Sequence, residues 1–228
     1  MTAAGSGSVG DLGEIALVSR ILSTAGSKAR KAMPVGPGDD AAVLLAPDGR
    51  VVVTTDMLVE GRHFRRDWSA AEDIGHKAAA ENLADIAAMG ARATAVVLAL
   101  GLPADTEVAW VDGFLAGLLA EVERAGAVLA GGDVVRSESI VASATALGDL
   151  EGRAPVLRSG AKAGNVVAVA GELGCAAAGL AALSRGFRSP RVLVDAHRRP
   201  MPPYAMGPAA AVAGATAMID VSDGLLLD

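Results

Sequence analysis

Cysteine occurs once in this chain, at Cys175, so no internal disulfide can hold the fold together. Aromatic residues supply only 3% of the composition, which leaves a core of aliphatic side chains, alanine and some of the 28 glycines, packed at short range. Histidine is scarce too, with His63, His76 and His197 the full set. No apolar run reaches the roughly 18 residues that suggest a membrane span. Long Lys/Arg blocks are missing, and 20 basic against 26 acidic residues give a formal charge of -6, which argues against a nucleic-acid or anionic-membrane partner. The familiar nucleotide signatures are absent: there is no Gly-x4-Gly-Lys-Ser/Thr loop, and neither the His-Arg-Asp nor the Asp-Phe-Gly motif of protein kinases. Gly5, Gly7 and Gly10 imitate a dinucleotide loop, but no strand precedes them, and a loose tail is expected there.

What remains is the composition of an α/β enzyme, 52% hydrophobic and rich in small residues. At 228 residues the chain has room for two domains. The expected division is a flexible tail over 1–10, a first domain over 11–149 and the start of a second, α+β domain over 150–228. The opening Met-Thr-Ala-Ala-Gly-Ser-Gly-Ser has no basic or apolar signal region, and with the single cysteine it predicts a cytoplasmic location.

Asp11 and Glu14, followed by Ile15, Val18, Ile21 and Leu22 at helical spacing, predict a helix to about Ala25. Ala41 to Leu45 and Val51 to Leu58, joined by Pro47-Asp48-Gly49-Arg50, predict a hairpin. Ser69 and Glu72 read as the capping box of a helix that stops at Gly90 and carries Asn82 and Asp85 on one face. A strand over 94–100, a helix over about 106–125, a strand over 127–130 and a half-exposed strand over 139–147 follow. Beyond them lie a strand over 166–170, a helix over about 174–184, a basic, proline-rich stretch around Arg198 to Pro203, a short helix near 208–214 and a strand over 217–220. Two short strands are few for a closed core, so the second domain is expected to be incomplete.

Six aspartates close or follow these small-residue, apolar stretches: Asp40, Asp56, Asp85, Asp133, Asp220 and Asp223. Without cysteine or histidine beside them, they suit a hard cation with oxygen ligands. Gathered in one place they would repel, at about 4 kcal/mol for two charges about 4 Å apart at an effective dielectric near 20. Magnesium uses few protein carboxylates per ion and completes its octahedron with water and phosphate oxygens, so many aspartates suggest several ions and a nucleotide. Asp39, beside Asp40, reads as a turn former.

Gly38-Asp39-Asp40-Ala41-Ala42, Thr54-Thr55-Asp56-Met57-Leu58-Val59-Glu60-Gly61-Arg62-His63-Phe64 and Asn82-Leu83-Ala84-Asp85-Ile86-Ala87-Ala88-Met89-Gly90 come in register with Gly131-Gly132-Asp133, Arg158-Ser159-Gly160-Ala161-Lys162 and Asp220-Val221-Ser222-Asp223-Gly224. Together they resemble the thiamine-monophosphate kinase family, which belongs with aminoimidazole ribonucleotide synthetase and selenophosphate synthetase. The resemblance implies an N-terminal α/β domain that binds metal and ATP and pairs with its twin as a homodimer, followed by an α+β domain. It implies ATP-dependent phosphorylation of thiamine monophosphate, with Asp40, Thr54, Thr55, Asp56, Asp85, Asp133, Asp220 and Asp223 around magnesium. Gly132, Asp133, Arg158 and Ser222 would touch ATP, and His63 the substrate. No separate catalytic side chain is implied.

The remaining residues are expected to be structural. His76 and His197 read as surface residues, Trp68 and Trp110 as packing residues and Cys175 as a buried thiol. Two alternatives stay open: another ATP-using enzyme of the superfamily, or a non-catalytic magnesium-nucleotide-binding dimer module. Selenophosphate synthetases carry a reactive cysteine or selenocysteine near the N-terminus, where this chain has none.

Overall fold

A computed structural model describes residues 7–25, 33–35 and 41–228. Asp40 therefore lies outside the described residues. The centre of the fold is a four-stranded mixed sheet in the order β1-β4-β2-β3. Strand β1 (Val52–Val59) and strand β4 (Val141–Asp149) are antiparallel, β4 is antiparallel to β2 (Arg92–Leu102), and β2 is parallel to β3 (Val128–Arg136). A parallel pair needs a crossover, supplied by helix α4 (Val108–Arg124) between β2 and β3.

Strand β4 shows which face of the sheet the helices cover, while a smaller cluster of Met33, Ala95 and Ala130 lies on the other. Ala142, Ala144 and Ala146 are buried while Val141, Ser143 and Thr145 between them are partly open. On the alanine side lie α3 (Ala71–Ala88) and α4, which share a core of Leu83, Ile86, Phe114 and Leu118 with Val96, Leu98 and Leu100 of β2. The two helices touch through glycine: a methyl group at Gly75 would stand 1.8 Å from the Phe114 carbonyl oxygen, and one at Gly117 would stand 1.9 Å from that of Glu72. The shortage of aromatics is thus matched by backbone-to-backbone packing. The opposite face leaves Val53, Met57 and Val97 exposed.

The N-terminal helix is broken: α1 (Val9–Leu12), capped by Ser8, is separated by Gly13 from α2 (Glu14–Ala25). Gly13 has φ 77°, a left-handed conformation that ends the first turn. The predicted hairpin does not form. The Pro47–Arg50 turn is present, but β1 takes β4 as its ladder partner, and Val43 makes only an isolated bridge to Val35.

After β4 come a 3₁₀ turn (Arg158–Gly160), α5 (Cys175–Ser184), α6 (Arg191–Arg198) and α7 (Met206–Val212). The strands expected over 166–170 and 217–220 find no ladder partner among the described residues, so this part shows no strand there. The helix α6, which no sequence pattern predicts, ends where the basic, proline-rich stretch begins; it starts after Pro190 and seats the fully buried Val194.

His76 is buried, not superficial. Its Nε2 lies 2.6 Å from the Pro200 carbonyl oxygen and its Nδ1 lies 3.3 Å from Glu121 Oε2. Glu121, buried on α4, also accepts hydrogen bonds from Arg124 and Tyr204. Burial alone would raise the Glu121 carboxyl, but Arg124, Tyr204 and His76 hold it below its ordinary value. This polar cluster fastens the 200–204 segment to α3 and α4. Cys175 is half-exposed, with its Sγ 3.6 Å from Glu172 Oε2. Trp110 does pack, stacked on Phe114 with centroids 5.5 Å apart.

Candidate functional site

Strand register sorts the β1 residues between the two faces of the sheet. Thr54 and Asp56 pair with Ala146 and Ala144 and so point to the helix side; Thr55 and Met57 pair with Thr145 and Ser143 on the open side. On the helix side, Thr54 Oγ1 donates to Asp85 Oδ2 at 2.7 Å. The Asp56 backbone N–H donates to Asn82 Oδ1 at 2.9 Å, and Asn82 Nδ2 donates to the Ala78 carbonyl at 3.1 Å. Asn82, 1% exposed, thus fixes an edge-strand amide while Asp85, three residues on, faces the same way.

The 3₁₀ turn and the Asp-Val-Ser-Asp-Gly segment form the other wall. Arg158 Nη2 stands 3.7 Å from Asp220 Oδ1, and Ser222 Oγ donates to Asp220 Oδ2 at 2.6 Å. The backbone N–H groups of Ser222, Asp223 and Gly224 converge on one Asp228 carboxylate oxygen at 2.9, 3.1 and 3.0 Å. Three successive amides aimed at a carboxylate are an anion-binding arrangement.

Electrostatics join the two walls. Burial raises the Asp85 carboxyl above its ordinary range, and the negative charges of Asp220 and Asp56 push the same way, against the Thr54 hydrogen bond and the Arg158 charge. A bound cation would relieve this field. The available donors are carboxylates and a hydroxyl, a set that fits magnesium. Among the described residues, however, no three His, Cys, Asp or Glu side chains are grouped closely enough to hold an ion by themselves.

Other expected site residues lie elsewhere. Asp133 and Gly132 sit within β3 on the far edge of the sheet, three strand spacings or roughly 14 Å from β1. Asp133 is in register with Ala99, Ser143 and Met57, on the open face, and its Oδ1 accepts from the Val134 N–H at 2.9 Å. Gly132 has no room for a side chain: a methyl group there would stand 1.9 Å from the Leu98 carbonyl oxygen. Thr55 bonds the Ala144 carbonyl and accepts from Thr145 on that open face. The Asp223 side chain is exposed.

His63 follows β1, and its Nδ1 accepts the Val59 N–H at 3.0 Å. It opens onto a cavity of about 410 Å3 that Arg62, Phe64, Trp68, Glu81 and His197 also line. Glu81 and His197 had no motif to mark them. The signal available was spacing, since Glu81 is one helical turn before Asp85. Burial first, then the charges of Asp56 and Asp85, raise the Glu81 carboxyl to about 7 against the pull of Lys77. Burial, with Lys77 and Arg198 nearby, lowers His197 to about 4.

The family described as AIR synthase related protein, N-terminal domain, matches residues 38–150. The thiamine-monophosphate kinase of Mycobacterium tuberculosis is 54% identical over 217 residues, covering 95% of this chain and 65% of the relative. A crystal structure of the enzyme of that name from Stenotrophomonas maltophilia K279a is 35% identical, with a TM-score of 0.81, over 93% of this chain and 68% of that one. AaThiL complexed with AMPPCP and TMP is 34% identical, with a TM-score of 0.75, over 96% and 68%. The chain thus spans just under two thirds of the Mycobacterium relative.

Proposed function

The chain belongs to the thiamine-monophosphate kinase family, and from that premise we propose that it transfers the γ-phosphoryl group of ATP to thiamine monophosphate, giving thiamine diphosphate and ADP. The observation that carries this reading is the convergence of Thr54, Asp56 and Asp85 with Asp220, Arg158 and Ser222 in one field. AaThiL, a relative over 96% of this chain, forms a complex with AMPPCP and TMP.

The acceptor is itself a phosphate, already anionic near neutral pH, so no strong general base is needed. The task is to let two anions meet in line. Asp56, Asp85 and Asp220, with Thr54, are the residues proposed to hold magnesium; Asp40 and Asp223 would add to them. Magnesium bound there supplies charge neutralisation for the phosphate oxygens. Arg158, the Ser222 hydroxyl and the 222–224 amides, which Asp228 engages here, are proposed to orient phosphate oxygens, and His63 to meet the acceptor.

Residues 11–149 form the proposed metal, ATP and pairing domain, and 150–228 begin the second. A homodimer is proposed across the open sheet face, where Val53 is 64% and Met57 52% exposed. Gly132, Asp133 and Thr55 then meet metal and ATP at a surface completed by the second copy, since Asp133 lies across the sheet from Asp56 in its own chain.

The test is direct. The protein is incubated with ATP, magnesium and thiamine monophosphate, and thiamine diphosphate is followed by chromatography. Product that disappears without magnesium supports the reading; ADP formed only with a different acceptor contradicts it.

A further inference from the structure

The polar cluster around Glu121 touches none of the groups placed at the metal and nucleotide site, yet it stands at the head of the chain segment that leads to Asp220. Glu121 and His76 are 2% and 4% exposed. From α3, His76 reaches the Pro200 carbonyl oxygen. From α4, Arg124 donates to the Pro202 carbonyl at 3.2 Å through both Nη1 and Nη2, and Glu121 accepts from the Tyr204 hydroxyl. The Arg124 guanidinium carbon also lies over the Tyr204 ring, 4.4 Å from its centroid. Arg199 adds ion pairs to Glu72 at 3.2 Å and to Asp73 at 3.8 Å. Residues 199–203 have no helix or ladder of their own, and Pro200, Pro202 and Pro203 supply no N–H. Side chains of α3 and α4 therefore satisfy the Pro200 and Pro202 carbonyls.

Backbone contacts carry this anchorage on to the site. Helix α7 starts two residues after Tyr204, has seven residues and no side-chain cap, and is far below the about 12 residues at which a helix stands alone. It rests on the end of α3 just beyond Asp85: a methyl group at Gly207 would stand 1.9 Å from the Ala87 carbonyl oxygen, and one at Gly90 would stand 2.9 Å from Ala211 Cβ. Past α7, a methyl group at Gly160 would stand 1.8 Å from the Thr216 carbonyl oxygen, so the turn that carries Arg158 is built directly on Thr216. Asp220 follows shortly after, facing Arg158 and adding its charge to the field at Asp85. The two walls of the site thus meet through α7, and the entrance to α7 is fixed at Tyr204.

A buried polar network contributes little net stability, but each donor and acceptor in it is satisfied at one place only, whereas an apolar contact can slide. We propose that Tyr204 is a positioning residue for the metal and nucleotide site: anchored by Glu121 and Arg124, it sets where α7 lies on the end of α3, and with it the placement of Asp220 against Asp85. This role presupposes the reading of that site as one for magnesium and ATP, and adds to it a residue outside the site that tunes its affinity.

Tyr204→Phe removes the hydroxyl and keeps the ring under Arg124. Magnesium-dependent ATP binding is measured calorimetrically for the wild type, Tyr204→Phe, Asp220→Asn and the double variant, at a temperature where circular dichroism shows each protein folded. ATP should bind Tyr204→Phe about fivefold more weakly than the wild type, while the same change made on Asp220→Asn should cost less than about twofold. In turnover, KM for ATP should rise about fivefold with kcat held within about twofold. Arg124→Lys, which keeps a donor but loses the paired contact to Pro202, is the second variant and should show the same dependence on Asp220. A tyrosine that served stability alone would lower the melting temperature and leave the affinity of the folded protein as it was. Unchanged ATP affinity in Tyr204→Phe, or an equal loss with and without Asp220, overturns the positioning role and leaves the kinase reading standing. A wild type that binds no ATP overturns both. Asp220-dependent loss of ATP affinity in a protein that forms no thiamine diphosphate keeps the positioning role and contradicts the kinase reading.

Discussion

Thr54 on β1 donates a 2.7 Å hydrogen bond to Asp85 on α3, and through it an edge strand and a buried helix present their acids to the same space. The threonine steadies a carboxylate that burial and two like charges make unfavourable in its ionised form. Such a group weakens the empty protein and strengthens the loaded one. Asp85→Asn should therefore leave the metal-free chain as stable as before, or more stable by about 1 kcal/mol, while weakening magnesium-dependent ATP binding at least about tenfold. Thermal melts and calorimetric titration with ATP and magnesium measure the two effects.

The raised Glu81 carboxyl gives a pH dependence whose sign is fixed. Between its ordinary value of 4.5 and its folded value of about 7, the folded chain holds a proton that the unfolded chain has released. Stability from this group is present below pH 4.5 and is lost as pH rises towards 7. Metal-free protein should therefore weaken over that window by about 1–3 kcal/mol, and Glu81→Gln should flatten the profile. Urea unfolding at a series of pH values checks this.

The cluster around Glu121 should behave in the opposite way when opened. Removing the carboxylate strands His76, Arg124 and the Tyr204 hydroxyl, which burial and the Glu121 charge hold protonated well above the usual phenol range. Glu121→Ala should cost about 3–5 kcal/mol, measured by denaturant unfolding, and should release the 200–204 segment to protease.

The contact between α3 and α4 offers a test of packing. A methyl group at Gly117 would stand 1.9 Å from the Glu72 carbonyl oxygen, which belongs to rigid helical backbone. Gly117→Ala should destabilise the chain by about 1–3 kcal/mol or more, with a lower melting temperature as the readout.

The elements between residues 71 and 149 were legible because their patterns are long and periodic. Asn82 and Asp85 share a helix face at a spacing of three, and β4 alternates buried alanine with half-open residues. The hairpin failed because a good turn and two apolar runs describe local preference only; the partner β1 takes lies about 90 residues away in sequence, where small alanines let α3 come close. Glu81 was not legible as part of a cavity, since a glutamate in an amphipathic helix carries no sign of burial. Its enclosure comes from Leu180 on α5 and His197 on α6, a helix that no sequence pattern marked. Asp133 illustrates a different gap: the motif fixes its identity, while strand order puts it on the edge opposite β1.

The central claim is that Asp56, Asp85 and Asp220 serve one cation-requiring site for transfer between two phosphates. Phosphorus-31 spectra of the protein with ATP, magnesium and thiamine monophosphate test it most directly. The account predicts that thiamine diphosphate and ADP appear in equal amounts in the wild type, and that both are lost in Asp85→Asn or after chelation of the metal. Undiminished thiamine diphosphate from Asp85→Asn, or ADP accompanied only by free inorganic phosphate in the wild type, would contradict it.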